Sequence, residues 1–309
     1  MTDPKTRLAA FIALGHPRHW HIWLLLVPLT LLVAWLPWPL QRFIGNRLGD
    51  ITWALLRKRR RITLRNLALC FPDWPQARHK KVARACFRSA GIALFESSRA
   101  WWRAPATLAR GFDIHGLNHL HAALAQGRGV LLLGAHYMHL EIVGAAFSSV
   151  QPLDTIYRPQ NNAALEAFVR WRRRRVYTWQ IDRRDVRTIY RALKANHVVW
   201  YTGDQDFGPR HAVFVPFFGV PAATVTAASR FVRANHAIAL SIDFRRDDRS
   251  GRYTVEVSAP LADFPGASEA ADALTMNRHI EAGIRKAPGQ YMWFHRRFKS
   301  RPKGEQSVY

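Results

Sequence analysis

A histidine and a glutamate five positions apart, His136 and Glu141, are the residues of this sequence best suited to acid–base chemistry. On a regular helix they would lie about 140° apart, so they can meet only if His136 lies on a turn between a strand and a helix. A carboxylate bound to one imidazole nitrogen fixes the tautomer and leaves the other nitrogen free to accept a proton. The pair therefore predicts a general base that deprotonates a hydroxyl group during acyl transfer.

Two other interpretations of this segment remain open. His136, His139 and Glu141 could bind a metal ion, although their spacing differs from the His-Glu-x-x-His pattern of zinc enzymes. His136 could also be structural, because the chain contains 14 histidines and a chance histidine–glutamate neighbour is common. The sequence has no Gly-x-Ser-x-Gly motif and no glycine-rich nucleotide-binding motif, so it offers no candidate for a serine nucleophile or a nucleotide cofactor.

Two further polar segments follow predicted strands. Arg158 comes directly after the apolar run 153–157, and Asp204 and Gln205 come shortly after the run 197–201. The carboxyl ends of parallel strands meet at one edge of a sheet, where open α/β sheets bind ligands. Arg158 could hold a phosphate or stabilise an oxyanion there, and the Asp204 segment could order a basic side chain or bind a sugar hydroxyl. The alternatives are a surface arginine and an acidic turn that caps the next element.

The elements that must position these residues alternate between strands and helices after residue 112. Apolar runs predict strands over 129–134, 153–157, 197–201, 237–244 and 252–258. Apolar spacings of three and four predict helices over 140–147, 163–174, 222–234 and 268–286, and a largely helical region over 42–104. This order predicts an α/β fold, a layered α/β/α domain with a central mixed sheet.

The segment from Ile22 to Trp38 is predicted to anchor the chain in a membrane. Its 17 residues carry no charge, which is at the short end for a spanning helix, and Pro28 would kink it. A signal peptide is disfavoured because no small-residue cleavage pattern follows, whereas a buried core helix remains an alternative. We therefore predict an N-terminal membrane helix within an anchor of residues 1–41, followed by one catalytic domain over residues 42–309. Tryptophans at both ends of the segment are typical of a membrane interface: Trp20, Trp23, Trp35 and Trp38.

The composition favours anionic partners and a lipid interface. The 46 Lys and Arg residues outnumber the 21 Asp and Glu residues, which gives a net charge of +25, and such a chain attracts nucleic acid, anionic membranes or acidic proteins. The 12 tryptophans and 17 phenylalanines suit the boundary between water and lipid better than nucleic-acid binding. Because the basic run Arg57–Arg61 follows the apolar segment, the domain is predicted to face the cytoplasm against anionic lipid.

Two kinds of aromatic segment complete the candidates. Residues 212–220 (AVFVPFFGV) are interpreted either as core or as an exposed loop that enters lipid or lines an acyl tunnel. Residues 291–302 interleave aromatic and basic side chains, and Arg172–Arg175 follow Trp171 in a similar pattern. This pattern suits a lipid headgroup interface or RNA.

These segments together resemble the late acyltransferases of lipid A biosynthesis in Gram-negative bacteria, most closely the Kdo2-lipid IVA lauroyltransferase type. The His-x4-acid pattern alone is shared by many glycerolipid acyltransferases, whereas four blocks in register across residues 20–309 are specific. Asp182-Arg183-Arg184-Asp185 is similar as well. The four blocks are His136 with Glu141, Tyr157-Arg158-Pro159, Asp204-Gln205-Asp206-Phe207-Gly208 with VPFFGVPAAT, and residues 291–302.

The resemblance implies an inner-membrane enzyme whose cytoplasmic domain has the glycerol-phosphate acyltransferase type of fold. It implies transfer of a fatty acyl chain from acyl carrier protein to a hydroxyl of a 3-hydroxyacyl chain on a Kdo-lipid A precursor, without a covalent intermediate. His136 and Glu141 would form the catalytic pair, with Glu141 orienting His136. Arg158, Asp204 and Gln205 would bind or support the substrate. The implied partners are acyl carrier protein, the precursor and the anionic membrane, with no metal ion, organic cofactor or nucleic acid.

Two other functions remain as alternatives. An acyl-CoA-dependent glycerolipid or phosphatidylinositol mannoside acyltransferase would share the His-x4-acid pattern, but it would be expected to lack the basic tail. A membrane-associated RNA-binding protein would account for the charge and the tryptophan–arginine clusters, and it would bind RNA with a steep salt dependence. An RNA-binding function would not explain the acidic residues Asp204 and Asp206 at the edge of the sheet.

Overall fold

The computed structural model describes residues 19–309, in which strands and helices alternate after a helical N-terminal region. The strands are β1 (Phe112–His115), β2 (Val130–Gly134), β3 (Asp154–Tyr157), β4 (Gln180–Asp182), β5 (Val198–Thr202), β6 (Ala212–Phe217), β7 (Val220–Val225), β8 (Ile238–Arg246) and β9 (Tyr253–Pro260). The helices are α1 (Val27–Trp35), α2 (Trp38–Leu55), α3 (Arg57–Cys70), α4 (Gln76–Trp102), α5 (Pro105–Ala109), α6 (Leu117–Leu124), α7 (Leu140–Phe147), α8 (Ala163–Arg173), α9 (Val186–Lys194), α10 (Ala227–Asn235) and α11 (Glu269–Lys286).

Seven of these strands form one sheet in the order β1-β9-β8-β2-β5-β3-β4. Neighbouring strands are parallel except β8 and β9, which are antiparallel, so the prediction of a central mixed sheet is confirmed. β2 lies in the middle of the sheet, and every one of its residues is buried. A strand covered on both faces has no polar alternation, which explains its unbroken apolar sequence. The carboxyl ends of β2, β5, β3 and β4 therefore lie along one edge.

The predicted strands all occur, with end shifts of one or two residues. The predicted helix over 222–234 begins only at Ala227, because residues 220–225 form β7. The sequence pattern does not reveal β1 and β4. They have only 4 and 3 residues and are partly polar, so no period can be read from them.

Residues 212–225 form a β-hairpin of β6 and β7, so AVFVPFFGV is not an exposed loop. The two turn residues, Phe218 and Gly219, both have positive φ angles of 50° and 79°, as a tight hairpin turn requires. Phe217 and Phe218 are buried against the body of the protein. The core interpretation therefore holds for Val215, Phe217 and Phe218, whereas Phe214 on the other face of the hairpin is exposed.

The N-terminal apolar segment is broken at Pro37 and does not form one continuous helix. Ile22–Leu26 is a π-helical turn, α1 ends at Trp35, and α2 begins after Pro37, whose ψ angle of 135° is extended. Prolines cannot continue a preceding helix. Within residues 19–309, no helix has both the length and the apolar character needed to cross a membrane. The predicted membrane helix is therefore not supported there, and the remainder of the predicted anchor, residues 1–18, lies outside the described residues.

Helix α2 lies along the long helix α4 at very short range. Gly45, Gly49 and Gly91 line the crossing, and a Cβ atom on Gly91 would lie only 2.0 Å from the carbonyl oxygen of Gly45. Only residues without a side chain permit this approach of two backbones. The contact joins the N-terminal helices to α4, whose last turn carries Trp101 to the functional site.

Candidate active site

His136 lies on the turn between β2 and α7, as its spacing from Glu141 predicts. A distant segment of the chain holds this turn in place. The Met292 amide donates a hydrogen bond to the His136 carbonyl at 2.9 Å, and the Met138 amide donates to the Gln290 carbonyl at 2.9 Å. The backbone of the candidate base is therefore fixed on both sides.

The partner of the His136 imidazole is Asp204. Nδ1 of His136 lies 2.6 Å from Oδ1 of Asp204, and the His136 amide donates to Oδ2 at 3.0 Å. Asp204 is 1% exposed and also accepts a hydrogen bond from the Tyr291 side chain. Because Asp204 follows β5, the neighbour of β2, the order of strands brings carboxylate and imidazole together.

Electrostatics fix the charge states of this pair. Burial raises the pKa of Asp204, but the charge and hydrogen bonds of His136 outweigh it and lower that pKa to about 2. Burial likewise lowers the pKa of His136, but the negative charge and hydrogen bond of Asp204 outweigh it, so the pKa of His136 lies above its ordinary value. At neutral pH Asp204 is a carboxylate, and the imidazole binds a proton more strongly than a free histidine does.

Nε2 is the nitrogen of His136 that is available for chemistry. Asp204 accepts the Nδ1–H hydrogen, a tautomer that we assign from the hydrogen-bond network, so Nε2 of the neutral ring has a free lone pair. Thr202 Oγ1 lies 3.3 Å from Nε2, and the His136 side chain is 25% exposed. The imidazole is thus partly accessible to solvent, and the arrangement is that of a general base with a buried orienting carboxylate.

Glu141 belongs to a different charged pair, which corrects the predicted histidine–glutamate contact. Its Oε1 lies 2.9 Å from Nε of Arg173 and its Oε2 lies 2.5 Å from Nη2, and the Trp101 indole donates to Oε1 at 2.9 Å. Within the described part of the chain it forms no hydrogen bond with His136. The physical reason is that Arg173 presents two parallel N–H groups, the strongest arrangement of donors for a carboxylate.

The Glu141–Arg173 pair joins three helices. Glu141 lies in the first turn of α7, Arg173 in the last turn of α8 and Trp101 near the end of α4. Burial raises the pKa of Glu141, but the charge and hydrogen bonds of Arg173, with that of Trp101, outweigh it and lower that pKa. Glu141 is therefore ionised at neutral pH and holds the start of α7 directly after the His136 turn.

Arg158 and Gln205 lie at the same edge of the sheet but outside the His136–Asp204 contact. Arg158 is exposed at the end of β3, which is separated from β2 by β5. Its Nη2 lies 3.5 Å from the Asn161 side-chain oxygen. Gln205 is half-buried directly after Asp204. The structure thus brings both residues to the predicted edge without joining them to the base.

The acidic residues after β5 have separate structural partners. Asp204 faces His136 from a position closed to solvent, so it has one of the roles that the sequence offers this segment, the ordering of a basic side chain. Its predicted role as a substrate-binding residue stays a prediction. Asp206 accepts hydrogen bonds from the Ser300 amide at 2.6 Å and the Ser300 hydroxyl at 2.9 Å. The Asp204 loop is therefore also attached to the C-terminal segment.

Part of the aromatic and basic segment 291–302 lies in the core. Trp293, Arg297 and Phe298 are all buried. Arg297 donates hydrogen bonds to the Ala223 carbonyl at 2.6 Å and to Thr224 Oγ1 at 2.8 Å. This segment braces the hairpin and the site, and the predicted lipid or RNA surface is wrong for these three residues.

Sequence reasoning misses Arg173, Trp101 and Tyr291 as residues of the site. Arg173 lies within the cluster Arg172–Arg175, which the sequence suggests as a lipid or RNA surface. The sequence does place Arg173 in the last turn of a predicted helix. Whether its side chain reaches Glu141 depends on how the helices pack, which the sequence does not show. Tyr291 belongs to the aromatic and basic segment 291–302, but nothing in the sequence connects it to Asp204.

An apolar groove opens beside the candidate base. Its volume is about 440 Å³. The groove reaches the His136 turn through Met292, whose amide binds the His136 carbonyl, and the charges of Asp204 and His136 both act on His295 at its wall. The groove has the volume and the apolar lining to hold a hydrocarbon chain. The lining includes Leu48, Leu56, Phe87, Leu94, Met292 and His295.

A family model and several known proteins match this chain over nearly its whole length, and all of them are lipid A biosynthesis acyltransferases. The model of the family described as bacterial lipid A biosynthesis acyltransferase matches residues 10–300. The chain is 37% identical to the lipid A biosynthesis lauroyltransferase of Escherichia coli (strain K12) over 298 residues, which cover 96% of this chain and 97% of that protein. It is 38% identical to the lipid A biosynthesis palmitoleoyltransferase of the same organism over 95% of this chain and 96% of that protein. A lipid A biosynthesis acyltransferase of Haemophilus influenzae is 35% identical over 93% and 92%.

The Glu141–Arg173 pair can be tested by a double-mutant cycle. Glu141→Gln and Arg173→Met should each lower the free energy of unfolding by about 3 kcal/mol, because each leaves a largely buried partner without its counter-charge. The double variant should lose clearly less than the sum of the two. Chemical denaturation of the purified protein in detergent measures all three values.

An exposed ion pair of the same chain provides the control. Arg230 and Glu269 lie 3.9 Å apart with both side chains almost half exposed, so Glu269→Gln should cost less than about 1 kcal/mol. Strict additivity of the Glu141 and Arg173 variants would contradict the coupling.

Proposed function

This chain belongs to the bacterial lipid A biosynthesis acyltransferase family, and we propose that it transfers a fatty acyl chain from acyl carrier protein to a hydroxyl on a Kdo-lipid A precursor. Membership rests on the family match and the identities above, so the chain is an acyltransferase of lipid A biosynthesis. The acceptor hydroxyl is that of a 3-hydroxyacyl chain. The observation that carries the mechanism is the partly exposed His136 imidazole, whose Nδ1 lies 2.6 Å from a buried carboxylate.

His136 is the catalytic base of the proposed reaction. Nε2 takes the proton of the acceptor hydroxyl as its oxygen attacks the thioester carbonyl carbon. The tetrahedral species collapses with cleavage of the carbon–sulfur bond, and the proton on Nε2 passes to the departing sulfur. The products are an ester and the free thiol of the donor. No covalent acyl-enzyme is required.

Asp204 and Glu141 are positioning residues in this mechanism. Asp204 holds the tautomer and stabilises the imidazolium that forms when Nε2 accepts the proton. Glu141 acts at one remove, because its pair with Arg173 fixes the first turn of α7 and so the turn that carries His136. Glu141 forms no hydrogen bond with the His136 imidazole among the described residues, so it does not set the tautomer.

The surroundings of the base suit both proposed substrates. The apolar groove beside His136 offers about 440 Å³ for the hydrocarbon of the donor, which supports an acyl rather than a small polar substrate. The net charge of +25 attracts an acidic carrier protein and a phosphorylated, carboxylated acceptor. The apolar groove favours an acyl substrate over RNA, and the net positive charge suits both the proposed carrier-bound donor and the proposed acceptor.

We further propose that the enzyme works at the cytoplasmic face of the inner membrane. Apolar side chains of the N-terminal helices are exposed, among them Leu24, Leu25 and Leu32, each about two-thirds accessible. The basic first turn of α3, Arg57–Arg61, lies within the same N-terminal region. Apolar contact with the acyl region and basic contact with headgroups together suit an anionic bilayer surface.

Replacement of His136 tests the base directly. His136→Ala should lower the rate of acyl transfer from acyl carrier protein to the lipid A precursor by about 10²–10⁴-fold, because proton removal from the hydroxyl loses its acceptor. His121→Ala, which removes an exposed histidine on α6, should leave the rate unchanged. Product formation is measured by mass spectrometry of the lipid.

Near-normal turnover of His136→Ala would remove His136 from the mechanism. Equal or faster transfer from acyl-CoA, or transfer to a glycerolipid in place of the lipid A precursor, would contradict the proposed donor or acceptor.

The pH dependence of kcat/KM tests the role of Asp204. The base acts in its neutral form, so the rate rises with pH through the pKa of His136, which Asp204 raises. Asp204→Asn removes this negative charge, so the acid limb should move to lower pH while the plateau falls by about 10²-fold or more through loss of orientation. Asp206→Asn is the matched control, because Asp206 binds Ser300 and its loss should leave the limb in place. An acid limb that is unmoved or shifted to higher pH in Asp204→Asn would contradict the pairing.

Vesicle flotation tests membrane binding. The protein should bind phosphatidylglycerol vesicles more tightly than phosphatidylcholine vesicles, and Arg57→Gln/Lys58→Gln should weaken binding to the anionic vesicles about 30-fold at low salt, at about 1 kcal/mol per charge. Arg187→Gln/Lys194→Gln removes the same charge from exposed positions of α9 and should have little effect. Equal binding to both kinds of vesicle would argue against an anionic membrane surface.

A further inference from the structure

A small basic pocket lies at the carboxyl ends of β3 and β4, apart from the His136 site. Its volume is about 200 Å³. Three arginines contribute to its wall, one from the end of β3 and two from the turn after β4. The lining residues are Arg158, Pro159, Gln160, Asn161, Arg183 and Arg184.

The positive charge of this pocket is not neutralised by the protein. Among residues 19–309, none of the guanidinium groups of Arg158, Arg183 and Arg184 forms an ion pair with a carboxylate. In a chain of 46 basic and 21 acidic residues this is common for isolated surface arginines, but here three of them surround one cavity. Mutual repulsion of three cations disfavours such a cluster unless an anion lies between them.

The nearest carboxylates are engaged elsewhere. Asp182 accepts a hydrogen bond from the Arg184 amide at 2.9 Å, and Asp185 caps α9 by accepting from the Thr188 amide at 3.1 Å. Glu166 accepts from the Tyr157 hydroxyl at 2.8 Å and from the Gln160 amide at 2.8 Å. These bonds hold the two loops of the pocket in shape and keep the acidic groups from the guanidinium groups.

The arginine side chains are held by contacts that leave donors free. The Arg183 amide donates to the Tyr157 carbonyl at 2.9 Å, which fixes the turn after β4 to β3. The Arg183 guanidinium lies over the Phe207 ring at 5.2 Å, so the pocket is in contact with the loop that carries Asp204. In the described range 19–309, the one hydrogen bond of the Arg158 guanidinium is to the neutral Asn161 side-chain oxygen, at 3.5 Å.

We propose that this pocket binds a phosphate ester of one of the two substrates. A phosphate group presents several acceptor oxygens and up to two negative charges, which match convergent guanidinium groups better than a single carboxylate does. The cavity has room for one such group, not for a nucleic-acid strand. The proposal rests on the proposed function for the identity of the substrate, but phosphate binding itself does not depend on it.

The position of the pocket suits a substrate group that is bound at a distance from the reacting atoms. β3 is two strands from β2 in the sheet, and adjacent strands lie about 4.8 Å apart, so the pocket is roughly 10–15 Å from the His136 turn. A phosphate on the sugar of the acceptor or the phosphodiester of the donor's pantetheine arm could each be held at such a distance. Binding energy from a remote group of this kind positions the reacting atoms.

Titration of the full-length protein with inorganic phosphate at constant ionic strength tests the pocket without any acyl transfer. The wild-type chain should bind phosphate saturably by calorimetry, and Arg158→Gln/Arg183→Gln should weaken binding at least about tenfold. Arg187→Gln/Lys194→Gln removes two charges from α9 outside the pocket and should bind as the wild type does. Thermal melting checks that all variants are folded. No saturable binding by the wild type, or equal binding by the Arg158/Arg183 variant, would overturn the proposal.

Kinetics then separate the two sources of phosphate. If the acceptor supplies it, Arg158→Gln/Arg183→Gln raises the KM for the acceptor about tenfold or more, and this difference disappears with a precursor whose sugar phosphates have been removed. If the donor supplies it, the variant raises the KM for acyl phosphopantetheine but not for acyl pantetheine. Unchanged KM values for every substrate would overturn the assignment to a substrate. If phosphate binds as expected while His136→Ala is fully active, the proposed function fails and the pocket remains.

Discussion

The hydrogen bond between the Asp204 carboxylate and the His136 imidazole is the interaction on which the rest of the site depends. The Asp204 carboxylate lies shortly after β5 and has almost no access to water. A buried carboxylate is tolerated only when donors satisfy it, and here they are the ring, the amide of the same histidine and Tyr291. The bonds that make the sheet edge stable are thus the bonds that orient the base. A change at Asp204 cannot alter basicity without also altering the packing of this edge.

The two carboxylates near the base act through different means. Asp204 acts by direct electrostatic contact with the imidazole, and its own low pKa keeps it charged. Glu141 acts through the backbone, because its pair with Arg173 and Trp101 joins α7 to α8 and α4. This division explains how a histidine and an acid separated by five residues can belong to one site without touching. The first sets the chemistry of the ring, and the second sets the position of the turn.

The sequence permits the local part of the fold to be predicted, but not the part that depends on strand order. The buried strand before His136 and the helix after it follow from an unbroken apolar run and a change to helical period. The sequence places Asp204 at the sheet edge as a residue that could order a basic side chain, but it does not show that this side chain is His136, because β5 becomes the neighbour of β2 only through crossovers that place β3 and β4 further out. Proximity along the chain therefore favoured Glu141 over Asp204. In the N-terminal segment, counting apolar residues predicted one helix, whereas Pro37 divides it into shorter ones.

The hydrogen bonds between the His136 turn and residues 290–292 have a consequence for biosynthesis. The ribosome synthesises the His136 turn long before residues 290–292, which bind it, and domains begin to fold during synthesis. A growing polypeptide that already contains β2, β5 and the imidazole still lacks Tyr291 and the amide of Met292. The turn that carries His136 is thus closed only after residues 290–292 have been synthesised. Chains truncated before residue 290 would retain most of the sheet but would lack this closure and the hydrogen bond from Tyr291 to Asp204.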